Sequence, residues 1–347
     1  MLTQRQNEIL RLIIQHYTTT GIPVGSKKLL EDGVKSSSAT IRNDMKALEE
    51  YGLLLKTHSS SGRVPSMKGY RYYVDHLLKP AEIDPGERSL IRQSFGSEFR
   101  EINDIIEHEA SSLSELTSYT AFSLGPEVKE RKLPGFRMVP LNDRQVIAII
   151  VTDKGNVESQ VFAVPASVSN EDLEKMTNII NDKLVGQPLL IVYHRLRTEI
   201  PMILHRYFQT PDGMMSLFDS MLGHVFEEKV YVSGRLNLLD FGVSMNNDQL
   251  KSVYSFMKNT EQLTSLLETT DQGSVPISVK IGSEIGNDLL DEMSMITATY
   301  EVAGHGKGTI ALLGPTSMPY SKMFSLVDAF RSELASQLGT YYRSLDG

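Results

Sequence analysis

The 347 residues include no cysteine and no tryptophan. Without a thiol there is no disulfide, no Cys-ligated zinc, no cysteine-bound iron–sulfur cluster and no thiolate nucleophile. The same absence fits a reducing cytoplasm. Long apolar runs are missing too. The longest, Val146–Val151, is far short of the ~20 residues that cross a bilayer, and no apolar signal core follows Met1–Gln6. The expectation is a soluble, cytoplasmic protein without contact with a membrane. Catalytic signatures are equally scarce. There is no G-x-S-x-G, no H-E-x-x-H and no complete phosphate loop. The histidines at 16, 58, 76, 108, 194, 205, 224 and 305 show no metal-ligand spacing. Gly304-His305-Gly306-Lys307-Gly308 lies between two strand-like runs instead of opening a helix, so it reads as a hairpin. No enzyme, metal or cofactor is expected.

The chain does have enough apolar content, 40%, for ordinary buried cores, and a length suited to two or three domains. Its charge is uneven. The net value is −8, yet residues 1–80 hold 12 Lys and Arg against 7 Asp and Glu, a net of +5. The remainder therefore carries −13. One short basic module on an acidic body points to an anionic partner for that module.

Within the basic module, Thr3 and Gln6 have the spacing of a capping box. Ile9, Leu10, Ile13, Ile14 and Tyr17 then recur at helical spacing. Gly21-Ile22-Pro23 stops this helix, and Ser26 is read as the cap of a second over Lys27–Glu31. Asp32-Gly33 breaks again, and Ser36-Ser37-Ser38 offers caps for a third helix from Ala39 to about Tyr51. That helix turns Ile41, Met45 and Leu48 to one side. Ala39, Asn43 and Lys46 lie opposite, with Arg42 on the flank. A small residue for close approach beside amide and cationic groups is what a recognition helix needs. Gly52–Thr57 and Arg63-Val64-Pro65 read as two strands around the polar tip His58–Gly62, with Lys56 and Arg63 at its base. Three helices and a basic hairpin make a winged helix-turn-helix. The candidate DNA contacts are Ser37, Ser38, Thr40, Arg42, Asn43 and Lys46 on the helix, and Lys56, His58 and Arg63 on the wing.

Three stretches give this architecture a family. Ser37-Ser38-Ala39-Thr40-Ile41-Arg42-Asn43-Asp44-Met45, Ser61-Gly62-Arg63-Val64-Pro65 and Gly69-Tyr70-Arg71-Tyr72-Tyr73-Val74 resemble, in order and spacing, the heat-inducible transcription repressor family HrcA. The likeness continues through Ile281-Gly282-Ser283-Glu284 and Gly314-Pro315-Thr316-Ser317-Met318-Pro319-Tyr320-Ser321-Lys322, so it spans nearly the whole chain.

The remaining residues read as α+β. Asp84 and Pro85 start a helical stretch carrying Phe95, Phe99, Ile102, Ile106, Leu113 and Leu116, interrupted by Glu109 and ending at Gly125-Pro126. Phe136–Leu141, Val146–Thr152 and Val157–Val164 form an antiparallel meander. Helices are expected over Ser169–Leu184, Leu189–Arg195, Glu199–Phe208 and Met214–Phe226. In the last, Met214, Leu217, Phe218, Met221, Leu222 and Val225 cover more than one stripe, which fits either a domain centre or a subunit contact. A strand at Val230–Leu238 and helices near 248–257 and 261–267 come next. Three strands at 276–281, 295–302 and 309–313 and a final helix over 322–342 complete the pattern.

The resemblance implies more than the pattern does. It implies a winged helix-turn-helix over residues 1–80 and a discontinuous GAF-like α+β domain over 81–132 and 229–347. It also implies an inserted dimerising α+β domain over 133–228, with a three-stranded antiparallel sheet and the Met214–Phe226 helix at the subunit contact. The implied function is repression, by a homodimer on double-stranded DNA, of operons for the chaperonin and the Hsp70 machinery. The implied operator is the inverted repeat CIRCE, and the implied partner is the chaperonin GroEL, which keeps the repressor active. The competing reading is a regulator gated by a small-molecule ligand in the GAF-like domain, with Gly282–Gly286 as the rim; composition names no such ligand.

Overall fold

The computed structural model describes residues 2–57, 62–95, 102–126, 132–151, 157–164, 168–188, 191–192, 195, 198–200, 202–203, 230–240, 247–268 and 276–346. Helix α1 (Gln4–Thr20) starts at the expected capping box of Thr3 and Gln6 and stops at Gly21. Helices α2 (Ser26–Glu31) and α3 (Ser38–Glu50) follow, then strands β1 (Leu54–Lys56) and β2 (Arg63–Pro65), paired antiparallel with Lys56 opposite Arg63. Val24 and Arg63 exchange both backbone hydrogen bonds, so the turn after α1 is stitched to the wing. This is the winged helix read from the pattern, with one correction. Ser26 is the first residue of α2, not its cap. Gly25 takes the cap position without a side-chain bond, while the buried Ser26 hydroxyl is held by Ser38 and Arg42 instead.

Helix α4 (Met67–His76), capped by Ser66, was not anticipated. Its aromatic residues suit a strand as well as a helix, but Tyr70 and Tyr73 both face the core. Helix α5 (Pro85–Ser94) begins on Asp84, whose carboxylate accepts the Gly86 N–H. Here the continuous helix expected to run to Gly125 is corrected. α5 ends at Phe95, α6 spans Ile102–Thr117, and Thr120–Leu124 is a strand, β3. Ser118 takes a left-handed φ of 58°, and the Ser114 hydroxyl caps the turn by donating to the Tyr119 carbonyl. Every residue of β3 is buried, so it shows none of the alternation that marks a half-exposed strand.

β3 lies inside a five-stranded antiparallel sheet of order β7-β3-β10-β9-β8, built from β7 (Val230–Ser233), β8 (Ile277–Ile281), β9 (Met293–Val302) and β10 (Gly306–Pro315). The Gly304–Gly308 stretch falls at the β9–β10 hairpin, as its setting suggested. The strand expected over Val230–Leu238 is shorter. Gly234, with φ 71°, turns the chain into a 3-10 helix over Arg235–Asp240. A side chain there would collide with the Ser114 hydroxyl.

Alternation along the strands feeds two cores. Ala121, Ile296, Ala298, Ile310 and Leu312 face α6 and the C-terminal helix α10 (Tyr320–Asp346). Phe122, Met293, Met295, Ala311 and Leu313 face α8 (Asn247–Phe256) and α9 (Thr260–Glu268) on the other side. The first core is continuous with that of the winged helix, through Tyr70, Tyr73, Tyr320 and Met323.

A separate unit packs α7 (Asn170–Leu184) on the meander β4 (Gly135–Asn142), β5 (Gln145–Val151) and β6 (Val157–Ala163). Phe136, Val146, Ala148 and Ile150 meet Leu173, Met176 and Ile180. Asn181 on α7 accepts from the Phe136 N–H and donates to its carbonyl, closing the edge of β4 as a neighbouring strand would. The expected helix with Met214, Leu217, Phe218, Met221, Leu222 and Val225 lies outside the described residues. Among the described residues no helix is long and apolar enough to cross a membrane, and no cluster of side chains could hold a metal ion.

Candidate nucleic-acid interface

Ser37 sets the start of α3: its hydroxyl accepts the Thr40 N–H at 3.1 Å and lies 2.9 Å from the Thr40 hydroxyl. Helical periodicity then buries Ile41, Met45 and Leu48. Asp44 shares that buried side, and its carboxylate takes Arg5 Nε at 2.6 Å, tying α3 to the start of α1. The same hydrogen bond, with the attraction of opposite charges, holds the Arg5 guanidinium charged above its ordinary range.

With that side sealed, Ala39, Arg42, Asn43 and Lys46 are exposed together. Arg42 Nε donates to Ser26 Oγ at 3.2 Å, and Ser26 Oγ lies 3.1 Å from Ser38 Oγ. This polar chain fixes the angle between α2 and α3. Lys46 is 3.7 Å from Glu50 in an exposed pair one turn along. Such a pair contributes only a few tenths of a kcal/mol, about 0.3–0.5, so a phosphate can displace the carboxylate.

On the wing, Lys56 is exposed at the end of β1. Arg63 has a different place from the one expected. Its side chain is only 15% exposed, and Nε and Nη2 each lie 2.8 Å from Glu49 Oε2. Two nitrogens sharing one carboxylate oxygen join the wing to the last turn of α3. His58 lies outside the described residues with Ser59, Ser60 and Ser61.

The structure thus brings the exposed Ser37, Arg42, Asn43 and Lys46 together at one surface, beside the half-buried Ser38 and Thr40. The supporting roles of Arg5, Asp44 and Glu49 escaped the sequence reading, and Ser26 entered it only as a cap. One signal was available: Asp44 falls in phase with Ile41 and Leu48, and a carboxylate on a buried stripe calls for a cation. The second candidate region, near Gly282–Gly286, borders a groove of about 1040 Å³ lined by Ser255, Asn259, Gln262, Lys280, Glu284 and Gly286. Gly282 itself is buried.

Comparison with known proteins bears directly on this surface. Residues 1–75 match a family described as the winged helix-turn-helix transcription repressor, HrcA DNA-binding, and residues 103–324 match the HrcA protein C terminal domain. A protein of Enterococcus faecalis named heat-inducible transcription repressor HrcA is 77% identical over 99% of both chains. One of the same name from Tetragenococcus halophilus is 64% identical over 100% of this chain and 99% of its own. A crystal structure of a hypothetical protein, 23% identical, shares the fold with a TM-score of 0.65 over 98% of this chain and 99% of that one.

Proposed function

The chain belongs to the HrcA family of heat-inducible transcription repressors, DNA-binding regulators and not enzymes, and we propose that it binds the CIRCE inverted repeat as a homodimer. Its targets are then the operons of the chaperonin and Hsp70 classes. The chaperonin GroEL maintains its activity, and repression lapses when unfolded protein occupies the chaperonin after heat shock. The site of action is cytoplasmic.

The observation that carries this reading is the exposed Ala39–Asn43–Lys46 face of α3, backed by a sealed core and flanked by the wing. A helix presenting such groups fits the major groove, where the Asn43 amide matches the adjacent acceptor and donor of an adenine edge. Arg42 and Lys46 suit guanine or phosphate. Ser37, Ser38 and Thr40 stand at the helix N-terminus, where backbone N–H groups favour phosphate. Lys56 and His58 suit the backbone beside the wing, and Arg63 holds that wing to α3.

The division into 1–80, 81–132 with 229–347, and 133–228 is supported by the five-stranded sheet. β3 precedes the β4–β6 meander in the chain, whereas β7 to β10 follow it. An antiparallel sheet with helices on both faces agrees with a GAF-like domain, and the intervening unit agrees with a dimerising insertion in which Met214–Val225 meets its two-fold mate. The groove beside Gly286 favours one alternative, a regulator gated by a small molecule. A thermal shift with a metabolite and no chaperonin would support that alternative.

The test is fluorescence anisotropy with a CIRCE duplex and a duplex of altered half-site spacing, at several salt concentrations, with and without GroEL. Expected are tight binding only at native spacing, a steep loss with salt and a gain with chaperonin. Equal binding to both duplexes contradicts the proposal.

A further inference from the structure

Three of the motifs that mark the family, at 69–74, 281–284 and 314–322, lie off the exposed face of α3. In the folded chain they converge on one seam between the winged helix and the five-stranded sheet. Arg71 on α4 stands at its centre. Its Nη1 donates to the Val279 carbonyl and to Glu284 Oε2, each at 2.8 Å, while Nε and Nη2 grip Asp75 on its own helix. Glu284 is itself fixed, because Oε2 also accepts the Ile281 N–H at 2.9 Å. Gly282, with φ 58°, lies against the end of the Met67 side chain on α4 and the Asp291 carbonyl, which leave no room for a side chain. Behind Arg71 the Tyr70 ring packs 5.7 Å from the Tyr320 ring, whose hydroxyl is held at Ser294 and Thr316. From the other side, the Tyr72 hydroxyl donates to Asn7 on α1. α4 is therefore clamped to the winged helix on one face and to the sheet on the other.

The chemistry of this clamp suits orientation better than stability. Arg71 is part-exposed, and ion pairs of that kind add little to folding. A planar guanidinium that engages a carbonyl and two carboxylates at once fixes direction more fully than an ammonium does. The Arg71 fork adds directional contacts to the packing of Tyr70 and Tyr73 in the shared core.

We propose that Arg71 is a positioning residue for operator reading. By holding Val279 and Glu284 it sets the angle at which each winged helix leaves the body, and with it the half-site separation that a dimer spans. The inference rests on the two-fold operator reading above. A dimer gains from its second contact only if both recognition helices reach their half-sites together, and that gain vanishes when the geometry is loose.

The experiment measures the affinity of the full-length chain for CIRCE duplexes whose spacer changes one base pair at a time, and for a duplex with a single half-site. Wild type is compared with Arg71→Ala, Arg71→Lys and Glu284→Gln, and near-ultraviolet circular dichroism confirms the fold of each. Wild type should prefer the native spacer sharply. Arg71→Ala should lose about tenfold or more at that spacer and show a flattened spacing profile, with half-site affinity within about twofold of wild type. Arg71→Lys should restore part of the preference, and Glu284→Gln should fall between. If Arg71→Ala fails to fold, the flattened profile must appear in Glu284→Gln. A wild-type spacing profile in the variants, or a parallel loss of half-site binding, overturns the positioning role. A wild-type chain with no spacing preference overturns the operator reading, and the positioning role with it.

Discussion

Glu109 is the residue least at ease in this fold. It lies fully buried on α6, facing the sheet, and among the described residues neither carboxyl oxygen has a hydrogen-bond partner. Burial pushes the group up to about 8. In the unfolded chain the same group titrates near its ordinary value of about 4.3. Between those two values the native state keeps a proton that the unfolded state has released. Stability therefore falls as pH rises through that window. Glu109→Gln removes the titration, and the variant should be more stable than wild type at pH 7.5, by at most roughly 4 kcal/mol. Urea unfolding at pH 5.5 and 7.5 checks this, and equal pH dependence in both proteins would refute it. The interruption of the apolar stripe at Glu109 was visible in the sequence. Its full burial was not, because a stripe does not reveal how far a sheet closes over it.

Among the elements, α3 was legible almost to the residue, and the causes are local: a serine cap, a clean apolar period and a glycine beyond the end. Ser37 serves both the cap and the surface offered to phosphate, and two substitutions separate these roles. Ser37→Ala should cost about 1 kcal/mol of stability through the lost cap. Ser37→Asp keeps a good cap and adds a negative charge, so it should melt like wild type yet bind operator more weakly. Thermal melts and anisotropy on the two variants decide; if Ser37→Asp binds as wild type does, no phosphate approaches the helix start. The elements that escaped had causes at longer range. β3 is buried on one face by α6 and the C-terminal helix and on the other by α8 and α9, most of them distant in the chain, so no alternation marked it. The strand expected through Leu238 is cut at Gly234, where Ser114, distant in sequence, bonds to Asn237 and leaves no room for a side chain. α4 was hidden by its tyrosines, whose helical phase is fixed only when Tyr70 meets Tyr320.

At the scale of the molecule, the charge asymmetry read from the sequence agrees with a chain that offers DNA only one end. The first eighty residues are basic and the remainder acidic, so charge alone favours a duplex near the former and disfavours it near the latter. The exposed face of α3 followed from helical spacing alone. Its rigid support did not, because Arg5 with Asp44, Arg63 with Glu49 and Arg71 with Glu284 each join residues far apart in the chain. Arg63, read from the sequence as a wing contact, also ties the hairpin to α3 through Glu49.

The central claim is that α3 reads bases through its exposed face, and Asn43→Ala tests it most directly. The measurement is the ratio of operator affinity to unrelated-duplex affinity, in the variant and in wild type at the same salt. The ratio should fall by about 1–3 kcal/mol, with unrelated-duplex binding unchanged. An unchanged ratio would mean that Asn43 reads no base, and would contradict the account.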